Sequence, residues 1–412
     1  MQKNTIRRLL KIPEYKVTHI FEKEKELWIW LEPYKRKKFI CSNCGTEHKT
    51  GFHGWTVVIV EDLSICGYHV FLKVAKRRYQ CQWDDHIHNE EVPWIKKWGR
   101  ITRRFGENVY HLTAITTNQE AGWYLGLDDE RVYRIDREML QEKAKEKLNP
   151  VPTGIHLSID EVSYRKYHRY LTNIIDTDIR KVIWNAKGRK SEILSLYYKS
   201  IGPEACAKID SVALDGARHY ISSTEQYAVN AMIVYDKFHV VQKLNGTIDA
   251  VRKWELREAR ARKDEELIEL TNCKKRFLLF KKPSRLTDKQ SSYLEALCKM
   301  NEPIYKAMLL KESFLQVYDC PDVEAAKQHL RNWIKDALSS TLEPFKKLAE
   351  SFTDKFQYLI NWFHKKISSA ISEGFNNKIK RLKRMAYGYK DIDYFRLKIH
   401  QHCGLLNPRI PH

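Results

Sequence analysis

Between Gly154 and His239 the chain switches repeatedly between a hydrophobic period of two and one near 3.6, which restricts the available folds more than any other feature. Ile155, Leu157 and Ile159 alternate with polar residues and predict a first strand over 155–160. Two further runs, 169–176 and 180–186, predict a second and a third. A helix is predicted over Lys190–Ser200, a strand over Ala207–Asp215, a helix over 217–227, and a fifth strand from Ala231 to Asp236. The first, fourth and fifth strands each close on an aspartate: Asp160, Asp215 and Asp236.

Strand–strand–strand–helix–strand–helix–strand is the order of an RNase H-like sheet. In that topology the first and fourth strands are neighbours, so carboxylates at their ends converge. Alone, Asp160 reads as a turn cap; beside Asp215 it becomes a candidate metal ligand. Glu161 is out of phase with Asp160 and points to the other face. Asp236 ends a strand one place farther along and is the rival second carboxylate. Asp236-x-x-His239 would then orient a scissile phosphate or serve a leaving strand.

Lys and Arg number 73 against 52 Asp and Glu, a net charge of +21, which suits a polyanionic partner because each neutralised phosphate releases a counterion. A stretch of about 18 apolar residues, the length that spans a bilayer, is absent from the sequence. The first residues, Met1 to Lys11, carry charge without an apolar segment, so secretion is not expected. Nine scattered cysteines in 412 residues do not form a disulfide framework and imply a reducing compartment.

Cys41-x-x-Cys44-Gly45 is a knuckle whose thiolates can share one ion, with Gly45 allowing a sharp turn. It needs a second half, which Cys81 and His86 can supply, making a structural zinc site of Cys41, Cys44, Cys81 and His86. His88 and Cys66 are rivals for the fourth place, and a reduced, metal-free Cys pair is the alternative. A basic, aromatic linker (94–104) and a helix through Thr117 follow. Asn118–Ile135 then reads as helix-turn-helix, with Gly122 at a close approach and Gly126 in the turn. Leu127, Val132 and Ile135 bury its second helix, which would offer Arg131, Arg134 and Arg137 to a major groove, unless the element is an ordinary helical hairpin. Asp128 and Asp129 suit the helix N-terminus as caps.

Residues 245–365 carry long charged stretches at helical spacing and are read as an all-α insertion. The closing segment places Glu373, Asn376, Asn377, Lys380, Arg381 and Arg384 on one helical face. Ile371, Phe375, Ile379, Leu382 and Ala386 form the apolar face opposite, as they would on any amphipathic surface helix. Gly374 lowers helix stability unless something must come close to it. Asp160, Asp215 and Glu373 in one cleft would repel unless cations neutralised them. Two Mg²⁺ or Mn²⁺ ions suit such hard oxygen donors and would activate a water or a 3′-hydroxyl for in-line attack. Zinc would then be structural and separate.

Cys41-x-x-Cys44-Gly, Arg77-Arg78-Tyr-x-Cys81, Ile159-Asp160-Glu161, Val234-x-Asp236-x-Phe238-His239-Val240-Val241 and Glu373-Gly-x-Asn376-Asn377-Lys-Ile-Lys380 together resemble bacterial insertion-sequence transposases of the ISL-three type, over almost the whole chain. The resemblance implies a DDE transposase that binds terminal inverted repeats and cleaves and transfers DNA strands with divalent metal. Related superfamilies place the second catalytic Asp before the Asp/Cys-x-x-His motif, which favours Asp215. Two departures stand out: His86 where a fourth knuckle cysteine is usual, and Gly122 where alanine is usual.

The expected architecture is multidomain, α+β and α/β. It comprises a zinc-binding β module (1–95), a helix-turn-helix (96–150), an RNase H-like core (151–244), the helical insertion (245–365) and a C-terminal part of the core bearing Glu373 (366–412). His239, Asn376, Asn377, Lys380, Arg381 and Arg384 are expected to contact DNA beside the three arginines. Double-stranded DNA is the expected partner, with pairing of two ends implying a homodimer or larger homo-oligomer. Neither a membrane nor a small-molecule substrate is expected, and the setting is the bacterial cytoplasm, at the nucleoid. The alternatives are a non-catalytic DNA-binding relative and an RNase H-like nuclease without strand transfer.

Overall fold

The computed structural model describes residues 3–12, 14–96, 100–165, 169–281, 283–365 and 370–408. Parts of the basic linker (97–99) and of the polar stretch that follows the first predicted strand (166–168) lie outside the described residues. The chain divides into two units: Met1–Lys147 with Asp393–His402 and Leu406–His412, and Leu148–Ile392 with Cys403–Leu405.

The first unit opens with helix α1 (Lys3–Leu10), which no period in the sequence had suggested. Strands β1 (Tyr15–Lys23), β2 (Glu26–Pro33), β3 (Phe52–Ile65), β4 (Tyr68–Gln80), β5 (Ile87–Asn89), β6 (Ile95–Lys96) and β7 (Ile101–Thr102) build one sheet. Its order is β1-β2-β4-β3-β7-β6, with β5 also on β4. Alternation decides its faces: Leu27, Ile29 and Leu31 of β2 and Val70, Leu72 and Val74 of β4 point inward to meet Ile6 and Leu10 of α1. Helices α2 (Arg103–Leu112), α3 (Asn118–Leu125) and α4 (Asp129–Lys147) follow. A capping box of Thr117 and Glu120 starts α3, and Gly126, at φ 69°, ends it. Gly122 permits the tight turn, since a Cβ there would lie 2.7 Å from the Leu127 carbonyl oxygen. Asp128 accepts from the Arg131 N–H at 2.7 Å and starts α4, while Val132 and Ile135 are buried.

A buried carboxylate ties α4 to the C-terminal helix, Ile392–Cys403. Asp136 accepts from Thr113 Oγ1 at 2.7 Å, Tyr394 OH at 2.6 Å and Lys398 Nζ at 3.2 Å. Burial pushes the Lys398 pKa below its usual value, and the Asp136 charge counters only part of that.

The second unit starts with β8 (His156–Arg165), β9 (Arg169–Asp176) and β10 (Lys181–Lys187), then α5 (Ser191–Ala207), β11 (Ser211–Leu214), α6 (Arg218–Tyr227) and β12 (Met232–Tyr235). The sheet order is β10-β9-β8-β11-β12. The first three strands are antiparallel, whereas β8–β11 and β11–β12 are parallel. Helix α7 (Lys237–Arg262) leaves β12 at once and runs without a break through the boundary expected at 245. It joins α8 (Glu265–Leu270), α9 (Asp288–Met300), α10 (Glu302–Gln316), α11 (Val323–Ser339), α12 (Glu343–Thr353) and α13 (Phe356–Lys365). Their shared core contains Tyr235, Val240 and Leu244 together with Phe314, Trp333 and Phe352. The helical region therefore grows directly out of the sheet's last strand. Helix α14 (Ala370–Met385) then returns to β8. The segment expected to close the catalytic core divides after α14, because Asp393–His402 belongs to the first unit.

Asp136→Ala is expected to cost about 3–5 kcal/mol, since it strands the Lys398 ammonium in the interior. The double variant with Lys398→Met should recover much of that. Urea unfolding of the three proteins measures both numbers.

Candidate active site and metal centre

Strand register sets the positions of the acidic residues. The last paired residues of the parallel β8–β11 ladder are Ser158 and Ala213, so Asp160 and Asp215 each lie two residues beyond one contact, level and in phase. Leu214 pairs with Tyr235, which puts Asp236 level with Asp215 on the far side of β11. Neighbouring strands are about 4.8 Å apart, so Asp215 is one strand spacing from Asp160 and Asp236 is two. One expectation is revised here. β8 does not end at Asp160 but continues to Arg165 against β9. What ends near Asp160 is its parallel neighbour.

Asp160 is 8% exposed. One oxygen accepts the Glu161 backbone N–H at 2.7 Å, and the other accepts Asn376 Nδ2 and lies 3.9 Å from His239 Nε2. Asp215 is half-buried, and its Oδ1 accepts the Ala217 N–H at 2.9 Å across a turn. Gly216 makes that turn at φ 77°, where a Cβ would come within 2.7 Å of the Tyr235 ring. Asp236 caps α7 through a 2.7 Å bond from the Phe238 N–H. Glu161, as the alternation implied, faces α6 instead, 3.9 Å from His219.

The electrostatics match this crowding. Burial would lower the His239 pKa, but the Asp160 contact, with Asp236 and Asp215 behind it, raises it above the usual imidazole value. Burial first, and then the Asp215 and Asp160 charges, raise the Glu161 pKa, with a Tyr220 hydrogen bond acting against them. Lys243, one turn beyond His239 on α7, and Lys355 both sense the Asp215 charge, although burial leaves the pKa of each below its usual value. Neither lysine stood out in the sequence. For Lys243 the signal was available, since it lies four residues after His239 on the same helical face.

Helix α14 reaches Asp160 through Asn376, and Lys383 Nζ donates to the Ser163 carbonyl at 3.1 Å, so two turns of α14 are fastened along β8. Asn376, expected to contact DNA, is thus engaged with Asp160. Glu373 is exposed one helical turn before Asn376 on the same face. Asn377, Lys380, Arg381 and Arg384 are exposed, while Ile379 and Leu382 are buried. A Cβ at Gly374 would meet nothing within 4 Å, so packing within the described chain does not require a glycine there. On α4, Arg134 is exposed and Arg137 half-buried. Arg131 is half-buried and makes a 2.6 Å ion pair with Glu61 of β3.

The Cys/His cluster differs from expectation in one ligand. Cys41, Cys44, His48 and Cys81 hold their ligand atoms within 4.8 Å of one another. Gly45, at φ 71°, reverses the chain so that Ile40 bridges Glu47, and this brings His48 back over Cys44, with Nε2 3.2 Å from Sγ. His86 is not in the cluster, because its Nδ1 lies 2.5 Å from the Asp84 carbonyl oxygen. His88 pairs with the Asp84 carboxylate at 2.7 Å, and Cys66 sits exposed in the β3–β4 turn. Hydrogen bonds from Thr46 lower the Cys44 thiol to about 6, toward the thiolate that a metal prefers. Three thiols and one imidazole at this spacing fit a closed tetrahedral zinc site. Arg77 braces the module by bonding Glu90 and the carbonyl oxygens of Lys37 and Lys38, and Glu90 is fully buried.

One chain thus carries a mixed sheet and a zinc-ribbon-like Cys/His cluster, and sequence comparison gives the family. Residues 157–399 match a family described as a transposase of the ISL3 type, and residues 37–83 match the zinc-finger of transposase IS204/IS1001/IS1096/IS1165. The chain belongs to the ISL3 family of insertion-sequence transposases. It is 29% identical over 377 residues to the transposase for insertion sequence element IS1001 of Bordetella parapertussis, covering 91% of each chain. It is 26% identical over 380 residues to the transposase for insertion sequence element IS1557 of Mycobacterium tuberculosis, covering 85% of this chain and 82% of that one. Among the described residues, no helix is long and apolar enough to cross a membrane.

The cluster makes a measurable distinction. Metal analysis should find zinc in the purified chain and in His86→Ala, and a deficit in His48→Ala and Cys81→Ser. Zinc kept by His48→Ala and lost by His86→Ala would reverse the ligand assignment.

Proposed function

We propose that this chain is an active DDE transposase, with Asp160, Asp215 and Glu373 as its catalytic carboxylates on an RNase H-like sheet. The observation that carries the reading is the common level of Asp160 and Asp215 beyond the Ser158–Ala213 pair, with α14 fastened to the same stretch of β8. The sheet order β10-β9-β8-β11-β12, with its antiparallel hairpins feeding a parallel half, supports the RNase H-like assignment. Hard carboxylate oxygens grouped around a strand edge fit Mg²⁺ or Mn²⁺, and Asp160, Asp215 and Glu373 would hold two such ions. When bound, the ions supply activation of a water or 3′-hydroxyl and stabilise the departing oxygen. Asp236 is assigned instead to starting α7, which aims His239 at Asp160.

The protein groups around this edge each have a task in the reading. Asn376 holds Asp160 and sets the register of α14, so its role is positioning as well as any contact to DNA. His239 presents a proton beside Asp160, where a phosphate oxygen would lie, and Lys243 adds a second positive group on the same face of α7. Asn377, Lys380, Arg381 and Arg384, all exposed, form a ladder suited to successive phosphates. On the helix-turn-helix, Arg134 is assigned to a groove, with Arg137 at its flank and Arg131 bracing the element against the sheet. The substrate is the double-stranded end of an insertion sequence, and the products are cleaved and transferred strands. Two ends must be paired, so a homo-oligomer is part of the proposal.

Full-length protein incubated with its element's end DNA and Mn²⁺ provides the test. Asp160→Asn and Glu373→Gln should each lower strand cleavage on the order of 10³-fold or more while end binding persists. Wild-type protein that binds ends but neither nicks nor joins them would favour a DNA-binding relative without catalysis. Nicking without any joined product would favour a nuclease.

A further inference from the structure

The two sheets treat their edges differently. In the second unit β12 is an edge strand, and α13 covers it: the Asn361 amide donates to the Ile233 carbonyl at 2.8 Å. At the opposite edge Val182 of β10 bridges to Gly404. In the first unit β3 pairs with β4 along its length, but its other side meets β7 only at Glu61 and Ile101. Among the described residues nothing pairs with that side between Trp55 and Val60.

The direction of the open backbone groups follows from one bond. The Glu61 N–H donates outward to the Arg100 carbonyl at 2.9 Å, away from β4. Backbone groups alternate along a strand, so the N–H and C=O of Ile59, Val57 and Trp55 point to the same open side. The side chains of these three residues also share a face, opposite the core residue Val60, and are 43%, 60% and 53% exposed. Next to them, Trp28 stacks on Phe71, and Lys73 lies over the Trp28 and Trp30 rings, while Trp55 meets only the edge of Phe52 of its own strand among the ring contacts of the described residues.

In a chain with 30% charged residues, Phe52–Val60 holds no Lys, Arg, Asp, Glu or Pro. Those are the devices that keep an edge strand from pairing, and their absence over an open, apolar edge marks a pairing site. The same composition selects the partner. Nucleic acid or an acidic peptide would need available cations along the strand, and the cross-strand cations are engaged, Lys73 over the Trp28 and Trp30 rings and Arg77 with Glu90. A second copy of the strand is equally neutral and meets no like charge. Antiparallel pairing about a two-fold axis at Val57 would set each Trp55 opposite the other copy's Ile59, an aromatic and β-branched cross-strand pair.

We propose that β3 is a self-association edge, through which two copies of this chain join their first-unit sheets into one continuous sheet.

Sedimentation velocity of the full-length chain across a micromolar concentration series tests this. Wild type should dimerise, and Val57→Lys should raise the dimer dissociation constant about tenfold or more with unchanged thermal melting and zinc content. Trp55→Thr tests the same face without adding charge, should the lysine variant fold poorly, and is expected to weaken the dimer in the same direction. A wild type that stays monomeric throughout, or dimers equally tight in both variants, overturns the proposal. So does a variant that loses single-stranded DNA binding while its oligomeric state is unchanged, which would assign the edge to nucleic acid.

Discussion

The parallel pairing of β8 with β11 is the contact on which the geometry of the proposed active site rests. It is short, running from His156–Ser211 to Ser158–Ala213, yet it determines which acidic residues stand side by side. A slip of one residue would turn Asp215 to the other face and leave Asp160 alone. Around that contact the structure invests buried polar groups. Thr172 Oγ1 meets the Tyr220 hydroxyl at 2.9 Å beneath the sheet, and Gly216 lets the turn after β11 pass the Tyr235 ring. Glu161 then occupies the α6 side, so each face of β8 carries one carboxylate with its own surroundings.

Charge in this protein is handled in two ways. Several buried charges are paired: Glu90 with Arg77 and Lys37, Asp136 with Lys398, Asp62 with Arg104, and Arg252 with Asp249. Each pair ties segments distant in sequence, except the local pair on α7, and removing one partner would strand the other. The Asp160 edge is arranged differently. Its carboxylates face one imidazole, one amide and two lysines whose own charge burial opposes. In the proposed function, divalent cations would be held among these carboxylates and lessen their mutual repulsion.

Much of this was legible in the residues, and the misreadings have definite causes. Strand and helix periods placed all five strands of the second sheet, because a sheet packed on one or both faces imposes its period on the sequence. They could not show that β8 outlasts its parallel neighbour, since the alternation is the same where β8 pairs on both sides and where it pairs with β9 alone. Spacing assigns the fourth place to His86, with His88 and Cys66 as its rivals, and passes over His48 because it cannot see that the left-handed turn at Gly45 folds His48 back onto Cys44. The ion pair of Arg131 with Glu61, seventy residues earlier in the chain, is likewise invisible to helical phase. The boundary expected at 245 falls within α7, one helix serving both the sheet and the helical region, with Val240 and Leu244 buried in the latter's core.

The central claim is that strand register, and not proximity in sequence to His239, selects the second metal ligand. Titration of Mn²⁺ into the full-length chain, followed by electron paramagnetic resonance in wild type, Asp215→Asn and Asp236→Asn, tests it most directly. The account predicts that Asp215→Asn weakens Mn²⁺ binding as severely as Asp160→Asn does, and that Asp236→Asn binds nearly as wild type while losing some helix stability. Binding that survives Asp215→Asn and is lost in Asp236→Asn would contradict it.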